Sequence, residues 1–165
     1  MSLLEVDQLK VHLFTNRGVV RAVDGISFSL EAGRSLGIVG ESGCGKTMTA
    51  LALMRLIPVP PAQIVGGSIR FDGEDVVAMD DDRLRALRGN KIAMIYQDPM
   101  TTLNPVFSVG EQIAEAVRLH RGDGRHAAFL RAVEMLKLVG IPDPDRVARA
   151  FPHQLSGGMR QRAVI

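Results

Sequence analysis

The sequence predicts an α/β fold: a phosphate-loop core, an antiparallel β-layer laid beside it, and a helical insert. Three observations carry this expectation. Gly40-Glu41-Ser42-Gly43-Cys44-Gly45-Lys46-Thr47 matches the pattern G-x-x-x-x-G-K-[ST] at every fixed position. Ser35–Val39 before the loop reads as a short buried strand, and Thr47–Arg55 after it reads as a helix. Two stretches near period two precede the loop, whereas residues 98–150 are mostly helical in pattern.

Composition bounds the function classes. At 165 residues the chain is one domain or most of one, with 46% apolar and 23% charged residues, as in ordinary globular chains. A net charge of +2 is too small to argue for nucleic acid, even with an isoelectric point near 9.0. One Tyr, six Phe and no Trp leave little material for a base-stacking platform. The single cysteine excludes an internal disulfide and fits a reducing compartment. Met1-Ser2-Leu3-Leu4-Glu5-Val6-Asp7 lacks the basic start and apolar core of a secretion signal. No apolar run reaches the length of a membrane span.

Taken in order, Leu3–Phe14 is a strand, Thr15-Asn16-Arg17-Gly18 a turn, and Val19–Leu30 a second strand antiparallel to the first. Glu31-Ala32-Gly33 turns the chain into the loop strand. Phe14 or His12 can stack on an adenine ring at this place, and either can equally pack on its own sheet. Pro58-Val59-Pro60-Pro61 stops the helix that follows the loop. Ile64–Phe71 is a strand and Asp72-Gly73 a turn. Asp80–Arg88, acidic at its start and basic at its end, is a short helix matched to its dipole, so Asp80-Asp81-Asp82 needs no metal ion. Lys91–Tyr96 is apolar almost throughout, as a parallel strand buried on both faces should be. It leads to Gln97, a polar residue where α/β sheets place ligand contacts. Ser108-Val109-Gly110-Glu111 is a capping box opening a helix through His120. Ala127–Val139 is amphipathic, with Leu130, Val133, Leu136 and Leu138 on its apolar face and Gly140 at its end. A short helix through Ala150 follows Pro142 and Pro144.

The loop spacing has a chemical reason. Gly40, Gly43 and Gly45 let the backbone curl so that successive N–H groups face phosphate oxygens. Lys46 reaches the β- and γ-phosphates, the Thr47 hydroxyl ligates Mg²⁺, and the following helix presents its positive dipole end. A second run, Phe151-Pro152-His153-Gln154-Leu155-Ser156-Gly157-Gly158-Met159-Arg160-Gln161-Arg162, sets Ser156, Gly157 and Gly158 before a helix. That is a hydroxyl, exposed N–H groups and a dipole end, either a second anion site or an ordinary helix start.

Together the runs resemble the ATP-binding cassette (ABC) transporter ATPases. Gly40–Thr47 is similar to their Walker A motif, Gln97 to their Q-loop glutamine, and Leu155-Ser156-Gly157-Gly158-Met159-Arg160-Gln161 to their signature, in the same order over essentially the whole chain. Gln97-Asp98-Pro99-Met100-Thr101-Thr102-Leu103-Asn104-Pro105 and Phe151-Pro152-His153-Gln154 look like the dipeptide, oligopeptide and nickel importer branch.

The resemblance implies a P-loop NTPase core of the ABC ATPase type, with ATP and Mg²⁺ as ligands. Gly40, Ser42, Gly43, Cys44, Gly45, Lys46 and Thr47 would hold the phosphates, and Thr47 and Gln97 the metal. Lys46 and Gln97 would be the residues of the catalytic site, with Gln97 sensing the γ-phosphate. The family's adenine-stacking aromatic falls near Leu13 and carries over to Phe14. Ser156, Gly157 and Gly158 would reach the ATP of a partner ATPase subunit in a head-to-tail dimer. Cys44 occupies a variable loop position, a spacer whose thiol lies near ATP. Residues 1–97 would form the nucleotide-binding core with its β-layer, 98–150 the helical insert that contacts the permease, and 151–165 the signature and the start of its helix. Partners would be two transmembrane permease subunits and, indirectly, an extracytoplasmic solute-binding protein, at the cytoplasmic face of the inner membrane, with no nucleic acid.

The sequence departs from the family pattern at its end. Ile165 falls before any Walker B strand, catalytic glutamate, D-loop or switch histidine, and no apolar run followed by Asp-Glu occurs after residue 156. The expectation is an N-terminal half, truncated before the Walker B strand, that binds ATP without turning it over. Its core would leave the apolar faces of Lys91–Tyr96 and the loop helix uncovered. The alternatives are a non-catalytic nucleotide-binding module and an ABC-type ATPase acting on nucleic acid. The second is disfavoured by a short insert without a Cys cluster or a basic tract.

Overall fold

The computed structural model describes residues 2–96 and 102–165, which form two compact units, Met1–Arg88 and Gly89–Ile165. The first unit is built on a four-stranded antiparallel sheet of order β2-β1-β3-β4, from β1 (Ser2–Thr15), β2 (Gly18–Glu31), β3 (Ala62–Phe71) and β4 (Glu74–Asp75). The β1–β2 hairpin closes at Thr15–Gly18, where the Thr15 hydroxyl donates to the Gly18 carbonyl at 2.8 Å. The buried positions of β1 are Leu4 and Val6, then Leu9 and Val11, so the period of two slips by one residue. The slip is a bulge at Asp7–Gln8, where Gln8 takes φ 46°. Ser27 fixes it, accepting from Gln8 N at 2.8 Å and donating to Asp7 Oδ1 at 3.2 Å.

Two helices complete this unit. α1 (Lys46–Leu53) starts at the loop, and α2 (Asp81–Leu87) is capped by Asp80 Oδ1, which accepts from Arg83 N at 2.7 Å. The acidic start of α2 is therefore a helix cap, as its residue order suggests. β4 was not legible in the sequence, since two residues carry no period.

The second unit is helical: α3 (Val109–Arg121), α4 (Arg125–Leu138), α5 (Pro144–Arg149) and α6 (Gly157–Val164). Val109, Leu136, Ile141, Val147, Ala148 and Leu155 form its buried centre. α3 and α5 approach so closely that a side chain on Gly110 would stand 2.7 Å from the Ala148 carbonyl oxygen.

Four sequence expectations differ from the structure. Ser35–Val39 forms no strand and its side chains are exposed, Val39 to 92%. Lys91–Tyr96 forms no strand either, with Ile95 and Tyr96 exposed. A parallel strand needs a neighbouring strand to pair its backbone and layers to cover both its faces; among the described residues neither run joins the sheet. The buried face of α4 is Ala128, Ala132 and Leu136, flanked by Phe129 and Val133, while Leu130 is exposed and Leu138 is 76% exposed. At 100° per residue, Leu130 and Leu138 lie far round the helix from Leu136. The capping box at Ser108 is half made: Ser108 Oγ accepts from Glu111 N at 3.3 Å, but the Glu111 carboxylate accepts from Arg118 at 3.1 Å.

Candidate functional site: a glycine-rich loop and a helix N-terminus

The Gly40–Thr47 loop curls as its glycines require. Gly43 has φ 81° and Gly45 φ 94°, conformations that residues with a Cβ rarely adopt. Gly45 is also the N-cap of α1, and a Cβ there would stand 2.2 Å from the Ala22 carbonyl oxygen of β2. The loop therefore rests directly on the sheet through backbone. A Cβ on Gly40 would stand 2.5 Å from Cys44 Sγ, so the two walls of the loop touch through that thiol.

Lys46 turns its ammonium back over the loop. Nζ donates to the Gly40 and Glu41 carbonyl oxygens, both at 2.7 Å, and lies 3.5 Å from Cys44 Sγ. The first bond of α1 runs from Thr49 N to Gly45 O at 2.8 Å. The amides of Lys46, Thr47 and Met48 precede that bond and have no acceptor inside the helix. Thr49 is buried and its hydroxyl returns to Gly45 O at 3.0 Å, whereas the Thr47 hydroxyl stands in an exposed residue. Free amides, an ammonium and an exposed hydroxyl within one turn of backbone can bind a phosphate chain and its cation. Curvature and donor set both fit ATP with Mg²⁺.

Of the other residues singled out, Phe14 lies on β1 opposite Val19, 47% exposed as a residue and with its N–H donated to Pro61 O at 2.9 Å. His12 is half-buried in the same strand, with no hydrogen-bond partner at Nε2 among the described residues. Gln97 lies outside the described residues. Ser156 is the N-cap of α6 in the second unit, its Oγ accepting from Met159 N at 3.3 Å. Gly157 and Gly158 form the exposed first turn of that helix. Leu155 is buried just before it, and Arg162 donates to Gly140 O at 2.9 Å, seating the helix on the end of α4. The roles of Ala22 and Glu41 were missed by sequence reasoning. Both act through main-chain carbonyls, which no side-chain pattern signals.

Comparison with known proteins places this geometry. A family model described as ABC transporter matches residues 23–165. The chain is 50% identical over 163 residues to a probable peptide ABC transporter ATP-binding protein, y4tR, of Sinorhizobium fredii, covering 99% of this chain and 49% of that protein. It is 49% identical to the oligopeptide transport ATP-binding protein OppD of Bacillus subtilis, covering 99% and 46% respectively. It is 46% identical to the dipeptide transport ATP-binding protein DppD of Escherichia coli, covering 100% and 50%. The chain thus spans about half the length of the curated relatives it matches. Among solved structures, the ATP-binding cassette MJ0796, in a dimeric post-hydrolysis state bound to ADP and Pi, superposes with a TM-score of 0.82. At 24% identity over 98% of this chain and 66% of that one, the likeness establishes the fold.

Proposed function

This chain belongs to the ABC transporter family, and on that premise we propose that it is the ATP-binding part of an importer that couples ATP binding and hydrolysis to uptake of peptides, or of nickel, through a membrane permease. One observation carries the reading: Lys46 Nζ is held 2.7 Å from two carbonyls of a glycine-rich loop, at the start of a helix whose first amides have no acceptor inside it. The identities of 46–50% to peptide-transport ATP-binding proteins support the substrate class.

The residue roles follow from the chemistry of the loop. ATP supplies the phosphoanhydride whose cleavage drives transport. Gly40, Ser42, Gly43, Cys44 and Gly45 line the phosphates with backbone. Lys46 neutralises the β- and γ-phosphates, Thr47 and Gln97 hold Mg²⁺, and Phe14 stacks on the adenine. Gln97 also reads the γ-phosphate. Ser156, Gly157 and Gly158 close on the nucleotide of a second ATPase subunit, head to tail, so that ATP joins two subunits and its hydrolysis parts them. Residues 1–97 form the nucleotide core with its β-layer, 98–150 the helical insert that contacts the permease, and 151–165 the signature and the start of its helix; the permease comprises two transmembrane subunits. A solute-binding protein acts indirectly, and the ATPase works at the cytoplasmic face of the membrane. No described helix is long and apolar enough to cross a membrane.

Titration of the 165-residue chain with Mg-ATP tests the reading. Binding is expected in the wild type and lost in Lys46→Ala, with hydrolysis at background rates in both. A wild type that does not bind Mg-ATP overturns the nucleotide site. A turnover that Lys46→Ala abolishes overturns the expectation that these residues alone do not hydrolyse it.

A further inference from the structure

Helix α1 carries the loop, yet little side-chain packing holds it. Only Thr49 and Ala52 are buried along its length. It is located instead by its ends. At the N-terminus, Gly45 lies against the Ala22 carbonyl with no room for a side chain. At the C-terminus the chain leaves through Met54 and Arg55, the latter at φ 50°, where helix carbonyls lose their intrahelical donors. Arg88 supplies the donors: its Nε reaches Met54 O at 2.8 Å and its Nη2 reaches Arg55 O at 2.7 Å.

Arg88 is well placed to act as a fixed post. It is the C-cap of α2, its N–H donating to Leu84 O at 3.0 Å, and Leu84 and Leu87 anchor α2 through buried side chains. The guanidinium fork spans two carbonyls at once, which a lysine ammonium on a flexible stem does not do with the same fixed geometry. Its positive charge also suits the negative end of the helix. Burial pulls Arg88 below the ordinary arginine value, and the Arg55 charge adds to that effect, so the contact is kept against a desolvation cost.

We propose that Arg88 is a positioning residue for the nucleotide site: by holding the Met54 and Arg55 carbonyls it fixes the tilt of α1, and with it the aim of the Lys46 and Thr47 amides. The inference rests on the ATP-binding reading above. An eight-residue helix is roughly 12 Å long. Without Arg88 the far end keeps the buried Met54 and the Arg55 bond to the Met79 carbonyl at 2.5 Å but loses the fork that fixes its carbonyls, so the helix tilts about the Gly45–Ala22 contact and its first-turn amides turn through the same angle. Hydrogen bonds to phosphate weaken as that alignment is lost.

The test uses calorimetric titration of the chain with Mg-ATP, at a temperature where circular dichroism shows each variant folded. Hydrogen exchange of α1 amides is followed in parallel. Arg88→Ala is expected to weaken binding about ten-fold and to speed exchange in the last turn of α1. Arg88→Lys is expected to recover only part of the affinity. If Arg88→Ala does not fold, Arg88→Lys and Arg88→Gln decide, and wild-type affinity in Arg88→Lys overturns the proposal. Wild-type affinity in a folded Arg88→Ala, with Lys46→Ala impaired, overturns the proposal and leaves the ATP site standing. Lys46→Ala binding as tightly as wild type overturns the ATP site, and the proposal with it.

Discussion

Gly45 shows how much one position can demand. It needs φ 94° and it stands where a Cβ would press on the Ala22 carbonyl. Gly45→Ala is therefore expected to destabilise the first unit by about 1–3 kcal/mol and to abolish Mg-ATP binding, measured by denaturant unfolding and by titration. The sequence motif names this glycine, but the carbonyl that forbids a side chain comes from a strand more than twenty residues earlier, which only folding brings near. A second residue-scale prediction concerns pH. The side-chain hydrogen bond from Arg83 holds the Glu74 carboxyl below its usual range. A depressed folded value means the stabilisation is present above the unfolded value and is lost as pH falls through the folded one. Glu74→Gln should flatten the acid side of the stability profile in a urea series. Because both groups are exposed, the effect should be small and should shrink with added salt.

At the scale of elements, capping residues were the most legible feature. Asp80 and Ser156 both accept from the amide three residues on, as their types and positions suggest. The hairpin, β3 and the helices of the second unit were legible too, because turns, prolines and period mark their ends. The apolar face of α4 was less so: leucines draw the eye, yet alanines at 128 and 132 line the close contact. This yields a sharp contrast. Leu136→Ala should cost about 2–5 kcal/mol, while Leu130→Ser and Leu138→Ser should each stay within about 0.5 kcal/mol, all by chemical denaturation. Equal costs at the three positions would remove the assigned face. The Asp7–Gln8 bulge had no signal in the sequence, since it depends on Ser27 from the neighbouring strand.

At the scale of the whole molecule, the apolar runs 35–39 and 91–96 matter most. Both read as buried strands, and both are exposed in the structure at Leu36, Ile38, Val39, Ile95 and Tyr96. Exposed apolar runs of this kind mark surfaces that associate. The chain should bind an apolar dye and self-associate as its concentration rises, measured by fluorescence and sedimentation. A monomer at all concentrations with no dye binding would remove that reading.

The sequence by itself determined the phosphate loop, the signature run and their family, because these depend on residue types at fixed local spacing. It also determined most helix and hairpin boundaries, since caps, turns and period are local properties of the chain. Only the tertiary structure decided that Ala22 closes the floor of the loop, that Arg88 holds the far end of its helix, and which side of α4 is buried. Those facts rest on carbonyls and surfaces that residues distant in the chain present to one another. The same holds for the two apolar runs: a strand's pairing is supplied by its neighbours, and residue type alone does not provide it.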